Sequence, residues 1–194
     1  MFTGIIKKTS TIESVQKKNG SIFAVVKKDK KWSVELGQSI AINGVCSTVK
    51  NFTASSFLVE WMPETIKKTT VEDLSAGSMV NLETSVNLAT LLDGHIVQGH
   101  IDTIGVVVEI KPVADSWVVK IKLPASFMKF IANKGSVTIN GVSLTVVDTG
   151  RDWFTVALVS YTIEHTIFHK MKKGDRVNIE TDVLAKYVYK LMKK

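Results

Sequence analysis

Short stretches of alternating or continuous apolar residues, rich in β-branched and aromatic side chains, recur along the chain. The clearest cover residues 21–26, 56–61, 116–123 and 153–159, each bounded by Gly, Asn, Asp or Ser. This pattern predicts short β-strands. Asn43-Gly44 and Asn140-Gly141 lie between apolar runs and predict tight hairpin turns. Many short strands favour a small closed barrel, because closure removes exposed strand edges.

Two segments have helical patterns. Residues 125–132 follow Pro124 and end before Gly135, which predicts a short helix. Residues 183–192 predict an amphipathic helix capped by Thr181 or Asp182. Its apolar residues recur on one side, at Val183, Leu184, Tyr187, Val188 and Leu191. That side needs a covering surface, either on the chain's own barrels or on a neighbouring subunit.

The second half of the chain repeats the first at an offset of 97. Residues 39–49 (SIAINGVCSTV) align with 136–146 (SVTINGVSLTV), and residues 80–84 (VNLET) align with 177–181 (VNIET). Near the start the offset is 95, which places residues 3–5 over residues 98–100. The repeat predicts two homologous domains, covering residues 1–95 and 96–194.

Composition narrows the class of protein. Of the 194 residues, 45% are hydrophobic and 22% charged, which is typical of a folded globular chain. The apolar runs are too short for a membrane span, and Lys7 and Lys8 interrupt the region where a secretory signal would be apolar. A single cysteine fits a reducing cytoplasm. We therefore expect a cytoplasmic protein without a membrane partner.

The net charge of +7 raises the question of a nucleic-acid partner. Only Arg151 and Arg176 are arginines, and the other 23 basic residues are lysines spread along the chain as doublets and singles. Because arginine is preferred for bidentate phosphate and base contacts, a solvated lysine surface is favoured over a nucleic-acid interface. A small barrel that binds nucleic acid is therefore the least favoured interpretation of the sequence.

The densest group of candidate chemical residues is GHIVQGHID at residues 94–102. It contains His95 and His100 between glycines, at the junction of the two halves. A spacing of five places them on opposite faces of a strand, which disfavours a shared metal ion. They either transfer protons or form hydrogen bonds that hold the connection between the domains. The chain has no phosphate-binding loop and no HExxH or CxxC motif, so we expect neither nucleotide hydrolysis nor zinc chemistry.

Cys46 aligns with Ser143, and threonines recur in both halves at Thr48, Thr145, Thr65 and Thr162. Small apolar pockets with a few polar groups bind planar heterocycles, so duplicated pockets suggest two similar ligands. The alternative is that Cys46 is a small core residue and that the threonines satisfy the barrels' own turns.

Four motifs occur in the order of one known family: MFTGII (1–6), SIAINGVC (39–46), GHIVQGH (94–100) and the segment from KGS to GVSLT (134–145). On these residues the chain resembles riboflavin synthases. The resemblance implies an all-β fold of two tandem six-stranded Greek-key barrels plus a C-terminal helix that holds a homotrimer. It also implies dismutation of two 6,7-dimethyl-8-ribityllumazine molecules without a cofactor or metal, between the N-terminal barrel of one subunit and the C-terminal barrel of another. Lumazine synthase is a further implied partner.

The resemblance also implies site residues. His95 and His100 would transfer protons, Ser39 and Cys46 would be polar partners or a nucleophile, Phe2 would close the site, and Asp182 would act from the C-terminal barrel. The implied substrate-binding residues are Gly4, Ile5, Ile6, Cys46, Ser47, Thr48, Glu60, Trp61, Met62, Pro63, Glu64, Thr65, Gly99, His100, Ile101, Lys134, Ser143, Leu144, Thr145, Ala157, Leu158, Val159, Ser160, Tyr161 and Thr162.

One position departs from the family pattern. Ser47 follows Cys46 where the family usually has leucine, as this chain has Leu144 after Ser143. The Ser47 side chain either points harmlessly out of the pocket or alters its packing. A non-catalytic lumazine or flavin carrier, like the lumazine proteins of light-emitting bacteria, is therefore the alternative to the enzyme.

Overall fold

The computed structural model describes residues 1–193, which form two closed six-stranded antiparallel barrels and a C-terminal helix. The first barrel consists of β1 (Lys8–Lys18), β2 (Ser21–Lys27), β3 (Ser39–Ile42), β4 (Val45–Phe52), β5 (Ser56–Trp61) and β6 (Met79–Thr84). The second consists of β7 (Thr103–Val113), β8 (Ser116–Lys122), β9 (Ser136–Ile139), β10 (Val142–Thr149), β11 (Trp153–Leu158) and β12 (Arg176–Thr181).

Both barrels have the same Greek-key strand order. In the first, the order around the barrel is β1-β2-β5-β4-β3-β6, with β6 closing against β1, and the second has the equivalent order. The α-helices are α1 (Pro63–Lys68), α2 (Ser160–His165) and α3 (Val183–Met192), and the 3₁₀-helices are Thr70–Asp73, Ala125–Phe130 and Ile167–Lys170. No helix among residues 1–193 is long and apolar enough to cross a membrane.

The predicted hairpins and the terminal helix are confirmed. Asn43 and Gly44 have φ angles of 47° and 81°, and Asn140 and Gly141 have 47° and 80°, the positive values that two-residue hairpin turns require. Helix α3 spans the predicted residues, with Asp182 as its N-cap. The predicted helix at residues 125–132 is instead a 3₁₀-helix ending at Phe130, where i→i+3 bonds such as Phe127 N–H to the Pro124 carbonyl replace the i→i+4 bonds of an α-helix.

Each barrel has its own apolar core. Phe57 and Trp61 are among the largest side chains in the first core, and Phe154 and Phe168 in the second. Phe57, Trp61 and Phe154 are inaccessible to solvent because alternate residues of each strand point inward, and Phe168 packs into the second core from the 3₁₀-helix Ile167–Lys170. The cores are separate, so the barrels meet through their surfaces.

Equivalent residues of the two halves contact each other, which defines an internal twofold relation. Phe2 and Val97 are equivalent at the offset of 95 and exchange backbone hydrogen bonds of 2.7 and 3.1 Å. Gly44 and Gly141 are equivalent at the offset of 97, and a Cβ atom added to Gly44 would lie 2.7 Å from the Gly141 nitrogen. The two hairpin turns can meet only because both positions are glycine.

Four asparagines fix the barrel interface through reciprocal hydrogen bonds. The Asn81 Nδ2 donates to the Asn140 carbonyl at 3.0 Å, and the Asn178 Nδ2 donates to the Asn43 carbonyl at 2.9 Å. Within each barrel, Asn43 Oδ1 accepts from the Asn81 N–H and Asn140 Oδ1 from the Asn178 N–H, both at 2.8 Å. The turns are thereby held both to their own barrel and to the other.

Candidate active site

The first candidate face lies on the outside of the β3–β4 hairpin. Cross-strand register pairs Ser39 with Thr48 and Ala41 with Cys46, so these four side chains share one face. The residues on either side of Cys46, Val45 and Ser47, point to the inside of the barrel and are buried. Cys46 is therefore not a core residue, as one interpretation of the sequence held, but lies at the partly exposed outer surface.

Residues 98–101, which lead into the second barrel, cover this face of the first barrel. The Gly99 carbonyl accepts a hydrogen bond from the Cys46 N–H at 2.9 Å, and Ile101 packs against the first core. Gly99 has φ 79°, and a Cβ atom there would lie 2.6 Å from Cys46 Cβ. Only glycine permits this approach.

A cleft of about 320 Å³ opens beside Cys46. Its lining combines a thiol, an imidazole, hydroxyl groups, an ion pair and short apolar side chains. The lining residues are Val45, Cys46, Glu64, Thr65, Lys68, Thr69, Gly99, His100 and Ile101. Six of them, Cys46, Glu64, Thr65, Gly99, His100 and Ile101, are among the residues predicted to bind substrate. We call this cleft and the Ser39–Cys46 surface the first face.

The equivalent surface of the second barrel is built in the same way. The Gly4 carbonyl accepts from the Ser143 N–H at 2.8 Å, and Ile6 packs against the second core. Ser136 and Thr145 pair across β9 and β10 as Ser39 and Thr48 do in the first barrel. We call this surface, with Ser143 at its centre, the second face.

His95 contributes to the second face, because its Nδ1 lies 2.8 Å from the Ser143 Oγ. Burial lowers the pKa of His95, and the negative charge of Asp182 partly opposes this effect. A neutral imidazole has one acceptor nitrogen and one donor nitrogen, so His95 is suited to take up a proton at neutral pH. Asp182 also accepts from the Leu184 N–H at 2.9 Å, which ties its position to the start of α3.

The two predicted proton-transfer histidines thus lie on different faces, His95 beside Ser143 and His100 in the cleft beside Cys46. Within one chain they do not form a common site. Within residues 1–193, no cluster of His, Cys, Asp or Glu side chains could hold a metal ion. Phe2 is buried with Ala41 and Val97 against Cys46, so it supports the first face from beneath.

Four of the residues predicted to bind substrate lie inside the barrels: Ser47, Trp61, Leu144 and Leu158. Strand alternation explains this, since their neighbours Cys46, Thr48, Ser143 and Thr145 point outward. Of the two possibilities stated for Ser47, the structure shows the one in which its side chain points away from the first face, into the barrel. Its Oγ accepts a hydrogen bond from the Trp61 indole N–H at 2.8 Å.

The remaining predicted binding residues surround the two faces at greater exposure. Glu60 forms an ion pair with Lys50 and Glu64 with Lys68. Pro63 starts α1, next to exposed Met62. Around the second face, Tyr161 stacks on His165 with a centroid distance of 3.9 Å. Ile5 and Thr162 are half-buried, and the exposed positions are Lys134, Ala157, Val159 and Ser160.

Two buried carboxylates were missed by the sequence reasoning. Glu83 accepts from the backbone N–H groups of Thr3 and Gly4, and Glu180 accepts from those of Gln98 and Gly99. Burial raises the pKa of Glu83, and it raises the pKa of Glu180 to about 7. A signal was available: both residues occupy the same position in the repeated strand VN-Leu/Ile-ET, so an acidic residue recurs within a strand in both halves.

Comparison with known proteins gives concordant matches. The family model described as "Lumazine binding domain" matches twice, at residues 3–85 and 98–182. The chain is 41% identical to riboflavin synthase of Bacillus subtilis strain 168 over 195 residues, covering 100% of this chain and 91% of that protein. It is 45% identical to riboflavin synthase of Mycobacterium tuberculosis H37Rv over 162 residues, covering 81% of this chain and 80% of the relative.

Solved structures agree. The crystal structure of LumP complexed with riboflavin matches with a TM-score of 0.87 and 27% identity, covering 93% of this chain and 99% of that one. The crystal structure of LumP complexed with 6,7-dimethyl-8-(1'-D-ribityl) lumazine has a TM-score of 0.85 and 26% identity over the same shares.

Proposed function

The chain belongs to the riboflavin synthase family, and we propose that its two faces each hold one molecule of 6,7-dimethyl-8-ribityllumazine for dismutation. It is an enzyme of this kind, since curated relatives named riboflavin synthase match the whole chain at about 40% identity. One lumazine donates a four-carbon unit to the other, giving riboflavin and 5-amino-6-ribitylaminouracil. The two products contain the atoms of the two substrates, so no further co-reactant is needed.

One observation carries this proposal: the two faces are related by the internal twofold but have different reacting groups. The first face has Cys46 and His100, and the second has Ser143 and His95. Two copies of one substrate need similar pockets, whereas donor and acceptor need different chemistry. A symmetric scaffold with unequal side chains meets both requirements.

The protein's contribution is to position two reactants and to manage protons. Orienting two bound molecules can lower a barrier by roughly 7 to 11 kcal/mol in favourable cases. The C7 methyl group of lumazine is acidic, and neutral His95 is placed to accept a proton on the second face. His100, Cys46 and Ser39 would serve the first face, with Cys46 as a polar partner or as a nucleophile.

We place the complete site between the first face of one subunit and the second face of another, in a homotrimer held by α3. In support, Leu184, Tyr187, Val188 and Leu191 of α3 are all more than half exposed. They lie along one side of the helix, while Tyr189 packs against Phe130 of the same chain with a centroid distance of 5.3 Å. An apolar stripe of this kind fits a neighbouring subunit.

The proposal extends to the setting of the enzyme. A partly exposed single thiol fits the reducing cytoplasm, which is where we place the protein. Lumazine synthase is the partner to test first, because it would deliver the substrate.

We also propose that the boundary between the two domains lies at residue 95.

Incubation of the purified protein with 6,7-dimethyl-8-ribityllumazine alone tests the function. Riboflavin and 5-amino-6-ribitylaminouracil should appear in equal amounts. Lumazine that binds without conversion would instead indicate a carrier, which is the alternative that similarity to LumP supports. Absence of binding would contradict both.

Single variants test the assigned roles. Cys46→Ser and His95→Ala should slow turnover while far-UV circular dichroism stays as in the wild type. Thr53→Ala, in the exposed β4–β5 turn, is the matched control and should leave the rate unchanged. Wild-type rates in both site variants would refute the assignment.

A further inference from the structure

We propose that Glu83 and Glu180 are positioning residues that act across the barrel interface, each building the substrate face that belongs to the other barrel. Their effect on catalysis rests on the proposed function, whereas the contacts themselves do not. Neither residue lies at a face surface, since both side chains are almost fully buried.

Glu180 belongs to β12 of the second barrel but organises the first face. Its Oε1 accepts from the Gln98 N–H at 2.7 Å and its Oε2 from the Gly99 N–H at 2.9 Å. The Gly99 carbonyl, on the other side of the same residue, accepts from the Cys46 N–H at 2.9 Å. A chain of hydrogen bonds therefore runs from β12 through residues 98–99 to Cys46 on β4.

Glu83 forms the reciprocal connection from β6 of the first barrel. Its Oε1 accepts from both the N–H and the Oγ1 of Thr3 at 2.7 Å, and its Oε2 accepts from the Gly4 N–H at 3.0 Å. The Gly4 carbonyl then accepts from the Ser143 N–H at 2.8 Å. The second face thus depends on a carboxylate of the first barrel.

These contacts use both oxygens of each carboxyl group as acceptors. Every partner is a donor, so the ionised form satisfies them all, while burial raises the pKa of both groups and opposes ionisation. Glutamine has one oxygen and one NH₂ group, so it would place a donor against a backbone N–H. The shorter aspartate cannot span the same two donors without a backbone shift.

Next to each carboxylate-bound segment lies a group that the reaction needs. Gly99 is followed by His100, which lines the first cleft. Gly4 is followed by Ile5. Residue 94, which precedes His95, lies close to residues 3–4, since a Cβ atom on Gly94 would lie 2.1 Å from the Thr3 carbonyl oxygen. Movement of either segment would therefore displace a histidine or its support.

Cys46 is the single cysteine of the chain, which makes thiol alkylation a reporter of the first face alone. Glu180→Gln should release residues 98–99 from Cys46 and accelerate alkylation by iodoacetamide under native conditions by roughly tenfold, the range expected for losing a charge-assisted hydrogen bond. Glu83→Gln, at the equivalent position, should accelerate alkylation much less, because its hydrogen bonds lead through residues 3–4 to Ser143 and not through residues 98–99 to Cys46.

A merely structural role would weaken the fold without regard to face, so both variants would then alkylate at similarly raised rates. That outcome, or acceleration by Glu83→Gln alone, would overturn the proposal. If Glu180→Gln does not fold, Glu180→Asp with Glu83→Asp as its control keeps the test, with a smaller acceleration expected for Glu180→Asp alone.

The effect of Glu83 on the second face can be measured separately, through His95. The NMR signal of the His95 ring C2–H should shift in Glu83→Gln, because Ser143 and residue 94 pack on residues 3–4, and should stay in place in Glu180→Gln. Both variants should lower kcat for riboflavin formation, since each face is required.

The two proposals fail separately. If the wild-type chain does not convert lumazine but the alkylation rates differ as stated, the proposed function fails and the cross-barrel role holds. If the wild type converts lumazine and the two alkylation rates are equal, the cross-barrel role fails.

Discussion

The indole N–H of Trp61 donates a hydrogen bond to Ser47 Oγ at 2.8 Å inside the first barrel. The equivalent positions of the second barrel are Leu158 and Leu144, both buried. One barrel therefore pairs a large side chain with a small one, and the other pairs two of intermediate size. Serine at position 47 is accounted for by its packing partner, without any change at the outer face.

Replacing Ser47 with leucine should destabilise the protein by about 2 to 4 kcal/mol, because it crowds the core and leaves the Trp61 N–H without an acceptor. The double variant Ser47→Leu/Trp61→Leu copies the second barrel and should recover at least half of the loss. Urea unfolding at one fixed protein concentration measures both. A double variant no more stable than Ser47→Leu alone would contradict the pairing.

Asp182→Asn should lower the pKa of His95 further, because Asp182 is the charge that opposes the effect of burial. Asparagine is also a good N-cap, so α3 should persist. If His95 acts as a base, the acidic limb of the pH–rate profile should move to lower pH. NMR titration of the His95 ring proton measures the pKa directly, and Asp175→Asn is the control that should leave it unchanged.

Gly44→Ala should destabilise the contact between the two barrels. Both Gly44 and Gly37 have positive φ, but a Cβ atom on Gly44 would meet the Gly141 backbone whereas one on Gly37 would meet nothing within 4 Å. Each alanine costs about 1 to 2 kcal/mol for its backbone conformation. The steric clash should cost Gly44→Ala a further ~1 to 3 kcal/mol. Thermal unfolding compares the two, and equal losses would show that the turn contact contributes little.

Glu180 should make stability depend on pH near neutrality. Its pKa is raised from 4.5 to about 7, so the folded state favours the protonated form. The resulting stabilisation is full below pH 4.5 and is lost as pH rises through 7. Relative to Glu180→Gln, the wild type should lose about 3 kcal/mol of unfolding free energy across that range. Parallel stability curves for the two proteins would contradict the burial effect.

Helix α3 should control subunit association. Leu184→Lys combined with Leu191→Lys places two charges in the exposed stripe, and the sedimentation coefficient should fall from that of a trimer to that of a monomer. Lys190→Gln, on the same helix outside the stripe, should leave the trimer intact. Riboflavin formation should fall with the trimer, since we propose that the complete site lies between two subunits. A double lysine variant that still sediments as a trimer would exclude α3 as the interface.

Sequence patterns predict the secondary-structure elements and the repeat, but they do not predict how deeply individual side chains are buried. The Asn-Gly turns and α3 follow from local conformational preferences, whereas six strands in each barrel is what the family resemblance implied, and the structure confirms all of them. Glu180 could not be placed, because its partners at residues 98–99 come from a segment distant in sequence. The division of His95 and His100 between two faces likewise depends on segments that cross between barrels.

The contact between Phe2 and Val97 joins two positions that are copies of one another. Such a contact is self-complementary, so two identical single barrels can form it. Their two faces are then identical as well. Joining two copies in one polypeptide removes that restriction, since a substitution then alters one site only. Cys46 opposite Ser143, and Asp182 opposite Ser85, record how this freedom was used. Within one polypeptide, a symmetric pairing becomes a scaffold on which, in the proposed reaction, two identical molecules are treated differently.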